Sequence, residues 1–243
     1  MKKIEDICIV VQARLGSQRT PNKMLKPFAG TTLFDIALKK AEQCIVPNKN
    51  IFASVHEEEL KRVASKYDVQ IFNRSEKSAN SEGTPITEIF EWWDKLPGKY
   101  VLFINACCPM LTVNSIDQFI YEYATCTTNG AFGVVEKKNY FWTNGIQATI
   151  RYDSMYTSWL DVEGMMSPSE GVMNTKTAPI VLEAAHVLYA GLLEDIGRGV
   201  WMGDLATGKG ITFISIPEIE CLDIDYPWQF DAWEKVYENL YKH

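Results

Sequence analysis

A chain of 243 residues that is 47% hydrophobic is long enough to bury one sizeable core, while a net charge of −7 and a pI near 5.1 exclude a sequence-independent nucleic-acid binder, which needs a cationic face to displace counterions. It contains no run of about 18 apolar residues, and the charged start MKKIED leads into a strand broken by Gln12 and Arg14, so neither a membrane span nor a signal sequence is expected and the protein reads as cytoplasmic. Six cysteines, at 8, 44, 107, 108, 126 and 221, form no Cys-x-x-Cys pair, which favours reduced thiols over a disulfide framework or zinc site.

Taken along the chain, apolar runs at 7–11, 50–55, 69–72 and 100–104 alternate with helical patterns at roughly 32–45, 57–67 and 84–96. That alternation predicts a mostly parallel α/β sheet. Thr84 is placed to cap the third helix, with Pro85 in its first turn, and a further helix is expected from Thr112 to about Ala124. Gly208-Lys209-Gly210 reads as a hairpin turn. One domain spans 1–243, and its least regular part, about 137–180, is rich in aromatic residues and methionine.

The loop after the first strand carries the chemistry. No acid lies between Asp6 and Asp35, while Arg14, Arg19, Lys23 and Lys26 bring four cations, and Ala13, Gly16 and Ser17 are small enough to let backbone N–H groups reach an anion. This predicts a triphosphate cradle at the carboxyl end of a strand, where open α/β sheets bind ligands; an ordinary solvated basic loop is the plain alternative. It is neither a Walker loop nor a Gly-x-Gly-x-x-Gly fingerprint. Near the other terminus, an extended conformation sets Asp223 and Asp225 on one face and Leu222 and Ile224 on the other. Two carboxylates held that close repel unless a cation sits between them, which is a reason for a divalent metal; otherwise Asp225 caps the helix that Pro227 begins.

The run Ala13-Arg14-Leu15-Gly16-Ser17-Gln18-Arg19, followed by Pro21-Asn22-Lys23 and Lys26-Pro27-Phe28-Ala29-Gly30, resembles the N-terminal signature of the acylneuraminate cytidylyltransferases. The resemblance continues closely at 220–230 and with less fidelity at 73–86, 103–111 and 174–189. It implies a Rossmann-like nucleotidyltransferase sheet, a dimerisation excursion at about 137–180, a homodimer, and transfer of CMP from CTP to an acidic sugar with release of pyrophosphate, serving surface-glycan biosynthesis. The same resemblance implies that Arg14 and Lys23 stabilise the reacting phosphates, that Ala13, Gly16, Ser17, Arg19, Asn22, Arg74 and Thr84 bind the nucleotide, that Asn105, Lys176 and His186 meet the acceptor, and that Asp223 and Asp225 hold Mg²⁺.

Departures from the pattern matter. Ser81 replaces an Asp, Asn105 a Gln and Leu111 an Arg, and Cys107 stands where related 3-deoxy-manno-octulosonate enzymes put a metal-binding Asp. A shorter amide and a lost cation change how an acid is held, so a second reading keeps the chemistry and makes the acceptor a small phosphonate or other capsule precursor. A third, from another class, is a catalytically silent nucleotide-binding module serving assembly.

Overall fold

The computed structural model describes residues 1–80, 84–139, 142–143, 146–147, 149–152, 158–161, 176, 180–203 and 208–241. In chain order the strands are β1 (Ile7–Gln12), β2 (Ile51–Val55), β3 (Gln70–Asn73), β4 (Tyr100–Ile104), β5 (Gly130–Lys138), the short β6 (Trp142–Thr143), β7 (Ile146–Gln147), β8 (Thr149–Tyr152) and β9 (Ser158–Asp161), then β10 (Ile180–Leu192) and β11 (Ile211–Ser215). The helices are α1 (Leu33–Glu42), α2 (Glu58–Ala64), α3 (Glu76–Ala79), α4 (Ile86–Ile89), α5 (Val113–Thr125), α6 (Leu193–Gly197) and α7 (Pro227–Tyr241).

Seven strands form one sheet in the order β11-β5-β10-β4-β1-β2-β3. β1 is buried on both faces, with Ile7, Ile9 and Val11 in the larger core beside Leu33, Phe119 and Phe230, and Cys8 and Val10 in a second core with Trp92, Leu96 and Ile196. A strand sandwiched in this way needs apolar residues at every position, which is why 7–11 reads as an unbroken hydrophobic run. β1 pairs parallel with β2 and β4, β2 with β3, and β5 with β11. The sheet is therefore mostly parallel, but β10 runs antiparallel to both β4 and β5. Beyond the stretch where β10 meets β4 and β5 meets β11, β5 and β10 pair only with each other, from Lys138↔Ile180 to Val135↔Glu183, and Lys137 bridges to Glu183 at 3.3 Å. This ribbon leads into the 137–180 region, most of which lies outside the described residues.

Helix ends follow their capping chemistry. Thr32 accepts from the Asp35 N–H and Thr112 from the Ser115 N–H, fixing the starts of α1 and α5. The helix expected over 84–96 is much shorter. Pro85 precedes α4, which stops at Ile89, and the Thr84 hydroxyl donates back to the Asn80 carbonyl instead of capping. Trp92 then turns wholly into the second core, a burial that a continuous surface helix does not provide. Gly208-Lys209-Gly210 is a turn with both glycines at positive φ, but it feeds β11, whose sheet partner runs parallel, so it does not make the expected hairpin.

Candidate active site

At the carboxyl ends of β1 and β4 the chain leaves a cleft of about 610 Å³, lined on its cationic side by Arg14, Arg19, Lys23 and Arg74. The loop following β1 is held by β2 and the segment after it: the Ala13 N–H donates to the Ser54 carbonyl, and the Leu15 N–H to Glu57 Oε1 at 2.8 Å. Gly16 faces open space, since a Cβ there meets nothing within 4 Å. Packing therefore gives no reason for glycine at 16, whereas close approach of a ligand to the backbone does.

Arg74 is only 4% exposed, yet among the described residues neither it nor Arg14 is paired with a carboxylate. Its guanidinium donates to the Ser78 carbonyl and hydroxyl and reaches the Ala13 carbonyl at 3.5 Å; Arg14 donates to the Ala79 carbonyl at 3.0 Å. Burial, and then the Arg14 charge, pull the Arg74 pKa down to about 10. Glu57 and Glu91 oppose that pull without forming an ion pair, so two neighbouring guanidiniums remain available to an anion.

Part of the lining comes from the chain's other end. Ile224 buries its side chain fully and its N–H donates to the Cys107 carbonyl, which anchors the 223–225 segment against the β4–α5 loop. Lys23, 8% exposed, donates to the Ile224 carbonyl at 2.6 Å and to Asp225 Oδ1 at 3.2 Å; Arg19 takes Asp225 Oδ2 at 2.9 Å, and the Thr20 hydroxyl donates to the Asp225 carbonyl. Burial alone would lower the Lys23 pKa, but Cys107, Asp223 and Asp225 outweigh it and raise the ammonium above its ordinary value. The loop that lacks acids in sequence thus gains two in space, Glu57 and Asp225. Asp225 does not cap α7: the Gln229 side chain does, accepting from the Asp225 and Tyr226 N–H groups at 2.8 Å each. Asp223 is the odd member. Its Oδ1 is buried with no hydrogen-bond partner, and burial first, then the Asp225 charge, raise its pKa against the pull of Lys23 and His186.

The structure brings Ala13, Arg14, Gly16, Ser17, Arg19, Lys23, Arg74 and Asp225 to one cleft. Asn22, Thr84, Asn105, Lys176, His186 and Asp223 do not line it. Asn22 adopts φ 53°, turning the loop so that it faces a second hollow with Pro21 and Lys26. Asn105 spends its amide on the backbone, donating to the His186 carbonyl and accepting from the Cys107 N–H. Leu111 is core, at 1% exposure, and cannot meet a solvated acceptor. His186 sits at φ 52° in an irregularity of β10, exposed, with Nδ1 3.1 Å from the Tyr189 hydroxyl. The described part of Lys176 is a single exposed residue. Cys107 does reach the cleft, its thiol pushed up to about 11 by burial, so it stands there neutral. All six cysteines are unbonded. Sequence reasoning passed over Gln12, the one polar residue of β1, which lines the cleft.

A family model described as cytidylyltransferase matches residues 7–158. The chain belongs to the cytidylyltransferase family. No curated protein sequence matches it. Among solved structures, a CMP:2-keto-3-deoxy-manno-octonic acid synthetase complexed with CTP superposes with a TM-score of 0.65 at 12% identity, covering 96% of this chain and 99% of that one. A cytidylyltransferase from Leptospira borgpetersenii gives 0.59 at 14% identity over 96% and 87%. A 4-diphosphocytidyl-2C-methyl-D-erythritol synthase from Anaerococcus prevotii gives 0.61 at 11% over 97% of each. At such identities the likeness shows the fold: this cytidylyltransferase-family chain carries an α/β nucleotidyltransferase sheet. No described helix is long and apolar enough to cross a membrane.

Proposed function

We propose that the protein is a CTP-dependent cytidylyltransferase of the acylneuraminate type, which transfers CMP to a small acidic acceptor and releases pyrophosphate. The observation that carries the reading is the gathering of Arg14, Lys23 and the buried Arg74 in one cleft, with neither arginine in an ion pair among the described residues. Family membership supports it, as does a structural neighbour that binds CTP. An acceptor oxygen attacks the α-phosphorus in line, the bond to the bridging oxygen of the β-phosphate breaks, and the hydroxyl proton leaves to solvent. Arg14 and Lys23 neutralise charge that builds on the α-phosphate and the leaving pyrophosphate, while Ser17 and the loop amides align the chain of phosphates.

Of the two aspartates, Asp223 offers the open ligand, a buried carboxylate oxygen without a donor, while Asp225 would exchange its Lys23 and Arg19 contacts for the ion; Mg²⁺ takes one or two carboxylates with phosphate oxygens rather than a full protein cage. Bound there, Mg²⁺ would supply charge neutralisation and orientation of the phosphates.

A second reading of the acceptor has its own support. Asn105 is committed to backbone and Leu111 to the core, so neither serves the acid group that a nonulosonic acid presents. This favours a smaller acid, such as a phosphonate, met by other groups. A homodimer and a glycan pathway stay part of the proposal through the family resemblance. Pyrophosphate release with CTP and Mg²⁺ across a panel of sugar acids and phosphonates tests it: release with one acceptor class identifies the substrate, and silence across the panel favours a non-catalytic nucleotide-binding module.

A further inference from the structure

Gln12 ends β1 in register with Ser54 of β2, and it lines the cleft together with the uncharged Asn80, Ile89, Phe90 and Phe103, while Ser54 is buried behind it. Its side-chain oxygen accepts from Trp92 Nε1 at 3.0 Å and from the Ser54 hydroxyl at 3.3 Å. An indole nitrogen is only ever a donor, so Trp92 fixes which end of the amide is oxygen, and the flip is not free. Trp92 is itself fully buried, with its ring centroid 5.2 Å from that of Phe90, and Ser54 is fully buried as well. Both donors are thus spent on one oxygen. The amide nitrogen has no partner among the described residues and is not among the buried unpartnered atoms, so it opens on the cleft with two N–H donors.

We infer that Gln12 reads the nucleobase, its amide nitrogen donating to an acceptor on the pyrimidine edge, O2 or N3 of cytosine. The inference rests on the nucleotide reading above and adds a specificity-determining residue to it. A planar base suits this uncharged, part-aromatic lining, whereas the triphosphate belongs to the arginines and Lys23. The locked amide gives the discrimination: a donor that cannot turn into an acceptor favours an edge of two adjacent acceptors, which cytosine offers and the N3–H of uracil interrupts.

The test is calorimetric titration of wild type, Gln12→Met and Gln12→Glu with CTP and with inorganic tripolyphosphate, read as the ratio of the two affinities. Methionine keeps the volume and loses the donors. Glutamate keeps an acceptor for Trp92, so the pair separates loss of base contact from loss of packing, and the ratio cancels the repulsion its charge adds toward both ligands. Both variants are expected to lower the ratio about tenfold, one hydrogen bond with its partner left unmet. An unchanged ratio in either variant overturns the role of Gln12. A wild-type protein that binds CTP no better than tripolyphosphate overturns the nucleotide reading with it, an outcome distinct from the first because it shows in the wild type alone.

Discussion

Replacing Lys23 with methionine keeps most of the buried stem and removes the charge that joins the β1 loop to the 223–225 segment. Two contacts go: the 2.6 Å bond to the Ile224 carbonyl and the 3.2 Å bond to Asp225 Oδ1. Arg19 remains on Asp225, but its side chain is 55% exposed, so solvent screens that pair and little is recovered. Charge-assisted hydrogen bonds contribute about 1.5–3 kcal/mol each; with partial compensation the loss should be about 2–4 kcal/mol. For a domain of this size about 2–4 °C of melting temperature accompanies each kcal/mol, which gives a drop of roughly 4–16 °C. Arg14→Ala is the control. Its guanidinium makes one described hydrogen bond, to the Ala79 carbonyl, so the fold should melt near wild type while pyrophosphate release falls about 30- to 1,000-fold, as it does in the Lys23 variant. Differential scanning fluorimetry beside the pyrophosphate assay separates the two. A Lys23→Met protein that melts like wild type, or an Arg14→Ala protein that melts as low, would refute the assignment of Lys23 as both pin and phosphate ligand.

Gly16→Ala should leave the melting temperature unchanged, since the added methyl meets no atom of the fold, yet weaken CTP binding; an unaffected CTP affinity would return Gly16 to an ordinary loop position. Asp223→Asn should stabilise the metal-free protein. Because burial and the Asp225 charge raise the folded pKa, stability is lost as pH rises through it, so the variant melts above wild type at pH 8 and the gain fades in acid near the ordinary carboxylate value of 3.8; a lower melting temperature at pH 8 contradicts this. Among the cysteines, Cys126 should alkylate first at neutral pH: burial opposes its ionisation, but hydrogen bonds from Thr128 and Thr212 and the Lys2 ammonium at 3.4 Å outweigh it, whereas burial pushes Cys8, Cys44 and Cys107 up to about 11. Peptide mapping that finds Cys107 modified before Cys126 would contradict that order.

Some local signals are legible in the sequence, while others, such as Thr84 as a cap and Gly208-Lys209-Gly210 as a hairpin turn, are overridden by the fold. Strands β1, β2 and β4 announce themselves by apolar runs because their side chains are buried in the sheet, whereas β3 is an exposed edge strand with the same apolar signal; α5 is legible from Thr112, and the Thr32 cap of α1 is seen only in the structure. The cations of the cradle are legible too. What joins them is not, because Lys23 and Asp225 are separated by 202 residues and nothing in either neighbourhood names the other. The two aspartates suggest mutual repulsion; the folded chain relieves it on Asp225 with Lys23 and Arg19 and leaves it on Asp223. The antiparallel entry of β10 depends on tertiary order, and the early end of α4 on the pull of Trp92 into the core. Gln12 was legible as an anomaly, a polar residue closing an apolar strand, without a hint of its lock on Trp92.

The most direct measurement is equilibrium titration of CTP into the wild-type protein and into Arg14→Ala in the presence of Mg²⁺. One site per chain in the wild type, weakened about 10-fold or more in a variant that melts normally, is the result expected if Arg14 meets the phosphates in the cleft. CTP bound with equal affinity by both proteins would contradict it, and so would a wild-type chain that does not bind CTP.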